Sequence, residues 1–462
     1  MSAFKVTLVS LLLSSQLGLS SKAQEEIQSS DSELGYSYTL ESTVIMAIEN
    51  DPWLKKSQYK EQSLLAQAES QATLPDPKVS VKFANLPVDS FSFNQEGMTQ
   101  LSLGVSQMLA RGDSLNIKRK INQLEAKIEP NLRANRKNQL IMTVGDLWLD
   151  IYKAQQSIQL INQLDSLLEE LKEAAEIQYN TALSSTGQED IIRAQLELAK
   201  LDDQLTVYQD KLHASINQLS QYVTLPQGYL FGAQNVDYHF VSQTLPSIQL
   251  PKNLTKLQRH PLVLAADRNI HLSAKNVELK KQGYKPQFTL NGSYALRDDA
   301  PNGMKRTDFF SLGVTFDVPL FTENKQDLDV KSAVYTKEAK REEKALLLRQ
   351  LRSAYNTQLS RLGRLEQRKE LYQGTIAPQV SQQATTLMTA YSNNKGDFAE
   401  LARSRVEEIN VQLTILDIDV EIAKSKLAAN YYLSETSTEY LSRIGSINNT
   451  SARKALSGES HE

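Results

Sequence analysis

The chain repeats itself. Asp51-Pro52 reappears as His260-Pro261, Leu74-Pro75-Asp76-Pro77 aligns with Gly283-Tyr284-Lys285-Pro286, and Ser102-Leu103-Gly104-Val105 recurs unchanged as Ser311-Leu312-Gly313-Val314. These pairs, and Gly187 with Gly396, all stand at one offset of 209 residues with no gap between them. Four matches in one register imply a duplicated unit, and a fixed-period duplication constrains a fold more than any single motif does. Each half reads helix, strand, strand, long helix, tight turn, helix.

The periodicities support that order. Residues 41–72 carry apolar residues at helical spacing (Val44, Ile45, Ile48, Leu54, Leu64, Ala68), with Glu41-Ser42 as the expected start and Pro75 and Pro77 as the stop. Residues 79–84 and 99–107 alternate, with Val79, Val81, Phe83, Leu101, Leu103 and Val105 on one face. Phe288, Leu290, Tyr294, Phe310, Leu312, Val314, Phe316 and Val318 repeat that pattern in the second half. Strands are therefore expected near 78–86, 99–108, 286–297 and 308–319. Long coiled-coil-like stretches follow at 114–180 and 325–391, each spanning roughly 100 Å at 1.5 Å per residue. Pro130 predicts a kink. Two shorter helices stacked end to end (41–72 with 188–220, then 253–283 with 398–432) match each long one. The result is a rod with a small sheet near its middle helix junction, and Trp53 and Trp148 as packing residues near helix ends.

Other features bound the function. Lys5, the apolar run Val6–Leu19 and Ser21-Lys22-Ala23 read as a secretory signal peptide over 1–23, cleaved near Ala23. The chain has no cysteine, so disulfides and thiolate metal sites are excluded. Charge is nearly balanced (51 Lys+Arg against 54 Asp+Glu), which speaks against a nucleic-acid binder. His213, His239, His260, His271 and His461 lack metal-ligand spacing, and neither a phosphate-binding loop nor a GxSxG elbow occurs. No enzyme, metal site or cofactor is expected. After residue 23 no run of 18 apolar residues follows, so a bilayer could be crossed only by strands closed into a barrel. Four strands cannot close a pore alone. Either several copies pool them, or the two hairpins pack on the rod away from lipid; the signal peptide and the aromatic strand faces favour the first.

This duplicated order resembles the TolC-type outer-membrane efflux family over about residues 38–435. Leu74-Pro75-Asp76-Pro77, Ala84-Asn85-Leu86-Pro87-Val88-Asp89, Met98-Thr99-Gln100 and Gly104-Val105-Ser106-Gln107 are similar to the branch associated with heavy-metal efflux. The tips Gln188–Gln195 and Tyr391 with Lys395-Gly396-Asp397-Phe398 resemble it too. The resemblance implies a mainly α protein with a transmembrane β part: long helical hairpins forming an α-barrel, and four strands given to a trimeric, twelve-stranded β-barrel. It implies a passive exit duct in the outer membrane, extending into the periplasm. Its partners would be two further copies, outer-membrane lipid, a periplasmic adaptor (membrane fusion) protein and an inner-membrane transporter of the resistance-nodulation-division (RND) type. Heavy-metal cations are the implied cargo; small organic compounds or a type I secreted polypeptide are alternatives, as is a periplasmic coiled-coil adaptor or scaffold. The domain reading is a signal at 1–23, an N-terminal segment at 24–37, repeats at 38–222 (helical hairpin 113–222) and 257–435 (hairpin 324–435), an equatorial connector at 223–256 and a flexible tail at 436–462.

Two residue groups are singled out. Gly187, Gln188, Glu189, Asp190, Gly396, Asp397 and Glu400 are expected at the periplasmic tip, lining the aperture or meeting the adaptor; helix capping is the competing role for Asp190 and Asp397. Where some family members carry an acidic ring this chain has Ala402, Arg403 and Arg405, which leaves Glu400 or Asp397 as the nearest carboxylates. Lys82, Asn291, Arg297 and Asp317 are expected to face the barrel lumen. Loops 85–98 and 298–307 are expected outside the cell as a wet surface.

Overall fold

The computed structural model describes residues 38–180, 188–224, 241–242, 244–250, 254–393, 395–434 and 436–443. The signal peptide, the N-terminal segment, Gly187, most of the connector and the end of the tail lie outside them.

Every helix and strand expected in the first repeat is present, with shifts that have local causes, while its tight turn lies outside the described residues. The first helix is two: α1 (Leu40–Asn50) and α2 (Pro52–Ser70). Pro52 cannot continue the α1 ladder but suits the first turn of α2. Thr39, not Glu41-Ser42, caps α1 by accepting from the Ser42 N–H at 3.1 Å. Strands β1 (Lys78–Ala84) and β2 (Gln100–Met108) follow. The long helix is broken into α3 (Ser114–Ala126) and α4 (Glu129–Asn180), which puts Pro130 in the first turn of α4, where its missing N–H costs nothing. Helix α5 (Gln188–Leu219) returns.

The second repeat runs through a 3-10 turn (Leu254–Arg259), α6 (Pro261–Lys281), β3 (Phe288–Leu296), β4 (Phe309–Phe316), α7 (Gln326–Leu371), α8 (Ala377–Ser392) and α9 (Phe398–Leu433). Between α7 and α8 a π turn (Tyr372–Ile376) absorbs Pro378, which can neither donate to the carbonyl one turn back nor fit against it. That break was not expected. Residues 436–443 correct a further expectation. They are not flexible tail: Ser437–Leu441 form helix α10, capped by Thr436, and Tyr440 is fully buried with its hydroxyl donating to the Leu427 carbonyl at 2.6 Å.

Helices α2 and α6 end where the strands begin, and α3 and α7 start where they finish, so all four meet the sheet at one end of the rod. The middle position expected for the sheet is therefore wrong. Near the sheet the helices lie in the row α2, α3, α6, α7; further away the row is α5, α4, α9 and then α7 with α8. The main core sits where the short helices succeed one another. There Leu140, Ile141, Val144, Trp148, Leu149 and Ile151 of α4 are all within 1% of full burial and pack on α1, α5 and α9. Trp148 lies in the body of α4 rather than near its end, stacked 5.8 Å from Tyr152 and donating to the Tyr38 carbonyl at 2.9 Å.

The duplicated Asp51 and His260 do one job with different chemistry. Asp51 Oδ1 accepts from the Trp53 N–H at 2.9 Å, capping α2, while His260 Nδ1 accepts from the Leu262 N–H at 3.3 Å, capping α6. A carboxylate stays an acceptor at neutral pH; an imidazole does so only while neutral. Burial against Tyr431, 5.2 Å between rings, pushes the His260 pKa down to about 4 from 6.5. The unfolded chain therefore takes up the proton first, so this contribution is complete above pH 6.5 and drains away as pH falls from 6.5 towards 4. The loss is on the order of 3 kcal/mol. In His260→Asn, which keeps a cap but not the ring, Tm at pH 7 should drop while the fall between pH 7 and pH 4.5 becomes shallower than in the unaltered chain; parallel pH profiles would contradict this.

Candidate membrane sheet and helical tips

The four strands form one antiparallel sheet in the order β1-β2-β3-β4, so the two repeats join through β2 and β3. Register decides which side chains share a face, because residues directly opposite one another lie on the same side. Val79 faces Val105, Val81 faces Leu103, Leu103 faces Tyr294, and Tyr294 faces Phe310. With Phe288 opposite Phe316 and Leu290 opposite Val314, one face is apolar apart from Gln107, which stands opposite Leu290. Nothing among the described residues covers it: Leu312 is 77% exposed, Phe310 70% and Val79 68%. Such a patch costs about 1.5–3 kcal/mol per large side chain left in water, and an uncovered patch of this size marks a contact with lipid or protein. Both outer strands also present unpaired edges.

The opposite face carries Ser80, Lys82, Ser102, Gly104, Ser293, Asn291, Ser311, Gly313 and Thr315 in register. Lys82 and Asn291 stand on this polar face, as expected, Asn291 donating to Thr315 Oγ1 at 3.1 Å. Arg297 and Asp317 continue its parity but lie beyond the strand ends, where both are engaged.

At the end away from the helices Arg297 donates to the Gly97 carbonyl at 2.6 Å and stacks over Phe309, 4.4 Å from the ring centre. Arg306 donates to the carbonyls of Asn94 and Glu96, both at 3.1 Å. Two arginines thus staple loop 297–308 to loop 85–99, which is more structure than a merely wet surface. Asn85 helps by adopting a positive φ of 56° and donating to the Met98 carbonyl at 3.0 Å.

At the helix end Asp317 accepts from the Gln287 N–H at 2.6 Å and pairs with Arg111, which also donates to the Gly283 carbonyl at 3.2 Å. Next to it Gly112 has φ +54°, and a Cβ there would meet Gln282 Oε1 and Lys285 at 2.5 Å. This node locks the sheet to α3 and α6. Sequence reasoning missed Arg111 and Arg306; a lone arginine beside a glycine or in a loop has no periodicity to reveal it.

At the far end of the rod the second tip is closed tightly. Gly396 approaches the backbone so closely that a Cβ would sit 2.6 Å from Tyr391 N. Asp397 Oδ1 accepts from the Ala399 N–H at 2.7 Å, which makes it the cap of α9. Tyr391 and Phe398 meet edge to face at 5.8 Å and join Leu164, Leu168, Leu201 and Leu401 in a core shared by both hairpins. Glu400 is exposed in the first turn of α9, and Arg405 pairs with Glu408 at 2.7 Å. Gln188, Glu189 and Asp190 open α5, and their side chains lie outside the described residues, as Gly187 does. Among the described residues no group of three potential metal ligands occurs, and no helix is long and apolar enough to cross a membrane.

No family model matches the sequence, and no curated protein sequence matches it significantly. Solved structures do. CusC, known from crystal structures of its folding and transmembrane channel formation, aligns over 86% of this chain and 92% of its own at 14% identity, TM-score 0.68. The CmeC outer membrane channel of Campylobacter jejuni aligns over 89% and 90% at 12% identity, TM-score 0.69. The open MtrE outer membrane channel of Neisseria gonorrhoeae aligns over 86% and 89% at 14% identity, TM-score 0.67. Over most of its length, this chain has the fold of these outer-membrane channels.

Proposed function

We propose that the chain is one protomer of an outer-membrane exit duct of the TolC type, a passive channel and not an enzyme. The observation that carries this reading is the uncovered apolar face on a sheet whose two edges are open. In water such a face and such edges invite aggregation. In lipid the face is at home but the edges are not, since each unpaired backbone group costs several kcal/mol. Pooling strands from several copies removes both problems, and three copies would supply twelve strands.

In that arrangement the polar face lines the lumen, with Lys82 and Asn291 within it and Arg297 and Asp317 at its two rims. The helical rows close a tunnel in the periplasm, and the tips at Gly187–Asp190 and Gly396–Glu400 form its aperture and the contact for an adaptor protein that links the duct to an RND-type inner-membrane transporter. Asp397 as a helix cap is compatible with that position, because capping uses one oxygen and leaves the carboxylate exposed. Secretion requires the signal at 1–23. Heavy-metal cations are proposed as cargo on the sequence resemblance of the first repeat alone.

Two measurements test this. Purified protein in a planar bilayer should give discrete single-channel conductance, whereas a periplasmic scaffold would give none and would leave the membrane fraction in a salt wash. Within the sheet, Leu312→Arg places a charge on the apolar face and should cost about 2–4 kcal/mol of insertion near the bilayer midplane. Ser311→Arg, one residue away on the polar face, should insert normally and change conductance. Equal insertion of the two variants would refute the assignment of faces.

A further inference from the structure

The row of helices has two unlike sides. One is covered: Gln155 of α4 donates to the Val241 carbonyl at 3.1 Å, Asn430 of α9 donates to the Gln249 carbonyl at 2.7 Å, and α10 packs on α4. The other side is bare. On α9 Glu421 precedes Asn430 by about two and a half turns, so it points the opposite way. Asp417, one turn earlier, lies on the same side, and the partners of these two carboxylates are Lys153 of α4 and Arg361 of α7. In a closed ring of such rows the covered side is the outer one, because a second layer on the inner side would fill the bore. The bare side then lines the tunnel.

Charge on that side is balanced in one place and not in another. Lys153 meets Asp417 at 2.9 Å and Lys424 meets Asp150 at 2.7 Å. In the groove shared by α4, α5 and α9, Asp203 stands against Lys211. Nearer the tip Arg403 lies between Glu400 and Glu407 on α9, all three exposed and of mixed sign. The groove between α7 and α9 differs. Arg349, Arg352, Arg361, Arg364 and Arg368 line it, and its carboxylates are Asp417 and Glu421, which Lys153 and Arg361 already engage.

Arg364 and Arg368 are left over. Both are exposed, and among the described residues neither makes an ion pair or hydrogen bond. They follow Arg361 by three and seven residues, so all three share one stretch of the helix surface. A guanidinium keeps its charge at any physiological pH, so the crowding cannot be relieved by losing a proton. Neither side chain holds the fold together, and like charges side by side are unfavourable.

We propose that Arg364 and Arg368 form an anion-selecting ring in the bore, and that the cargo recognised there carries carboxylate, phosphate or another anionic group. Rotation about a closed ring brings the same two arginines of every copy to one level. Rings of arginine favour anions in pores, and the planar guanidinium fork matches carboxylate and phosphate oxygens two at a time. Free cations are held back at this level. Here the charge departs from the cargo that the sequence resemblance implies.

The ring rests on the shared-wall reading but fails separately from it. The purified full-length protein is placed in a planar bilayer with unequal potassium chloride on the two sides, and the reversal potential reads which ion passes more freely. Chloride should be preferred over potassium by on the order of tenfold at low salt. The preference should fade as salt rises from about 10 mM to about 1 M, because the Debye length shrinks from about 30 Å to about 3 Å. Arg364→Gln with Arg368→Gln should lose most of the preference while helicity and channel formation persist; Arg364→Lys with Arg368→Lys should keep it. An unaltered channel that prefers potassium, or an unchanged preference in the glutamine pair, would overturn the ring. So would channels lost in the glutamine pair and kept in the lysine pair, since the arginines would then join the copies instead of filtering. If the unaltered chain gives no conductance, it is the shared-wall reading that falls.

Discussion

An antiparallel sheet with two open edges and one uncovered apolar face cannot be a finished structure. The face wants an apolar medium, and that medium forbids unpaired backbone at β1 and β4. Every other feature of the chain is arranged around that conflict. The repeats join through β2 and β3, which leaves one free edge from each repeat, and the polar face is filled with small residues such as Gly104 and Gly313. A crowded interior face would suit a closed core; small residues leave room for water.

The helices continue the same architecture by different means. A single helix as long as α4 would be bare on its flanks, so two shorter ones in tandem cover it, and the handovers are managed at prolines. Pro52, Pro261 and Pro378 each start a helix, and Asp51 and His260 cap two of these starts. The Arg111–Asp317 pair ties the sheet to the helices.

Much of this was legible in the residues. Alternation placed all four strands within three residues at each end, and parity sorted Lys82 and Asn291 onto the polar face. The repeat offset alone aligned the two helix caps, Asp51 and His260. What escaped was of three kinds. Long-range polar nodes, such as Arg111 with Asp317 or Arg306 with the carbonyls of Asn94 and Glu96, depend on loops whose paths carry no periodicity. Helix α10 is short, and its polar composition hid a Tyr440 that the core accepts only because Leu427 offers a carbonyl. The position of the sheet was misjudged because counting helix lengths fixes how long the rod is, but not which ends meet; the antiparallel contact of α2 with α3 decides that.

The central claim is that β1 and β4 are not edges in the assembled protein. Hydrogen–deuterium exchange in lipid nanodiscs reads this backbone directly, since amides without a partner exchange at the lower end of the protection range. Residues 78–84 and 309–316 should be protected to the same degree as residues 100–108 and 288–296 in the interior strands. Fast exchange confined to the two outer strands would show open edges, and a single chain standing alone.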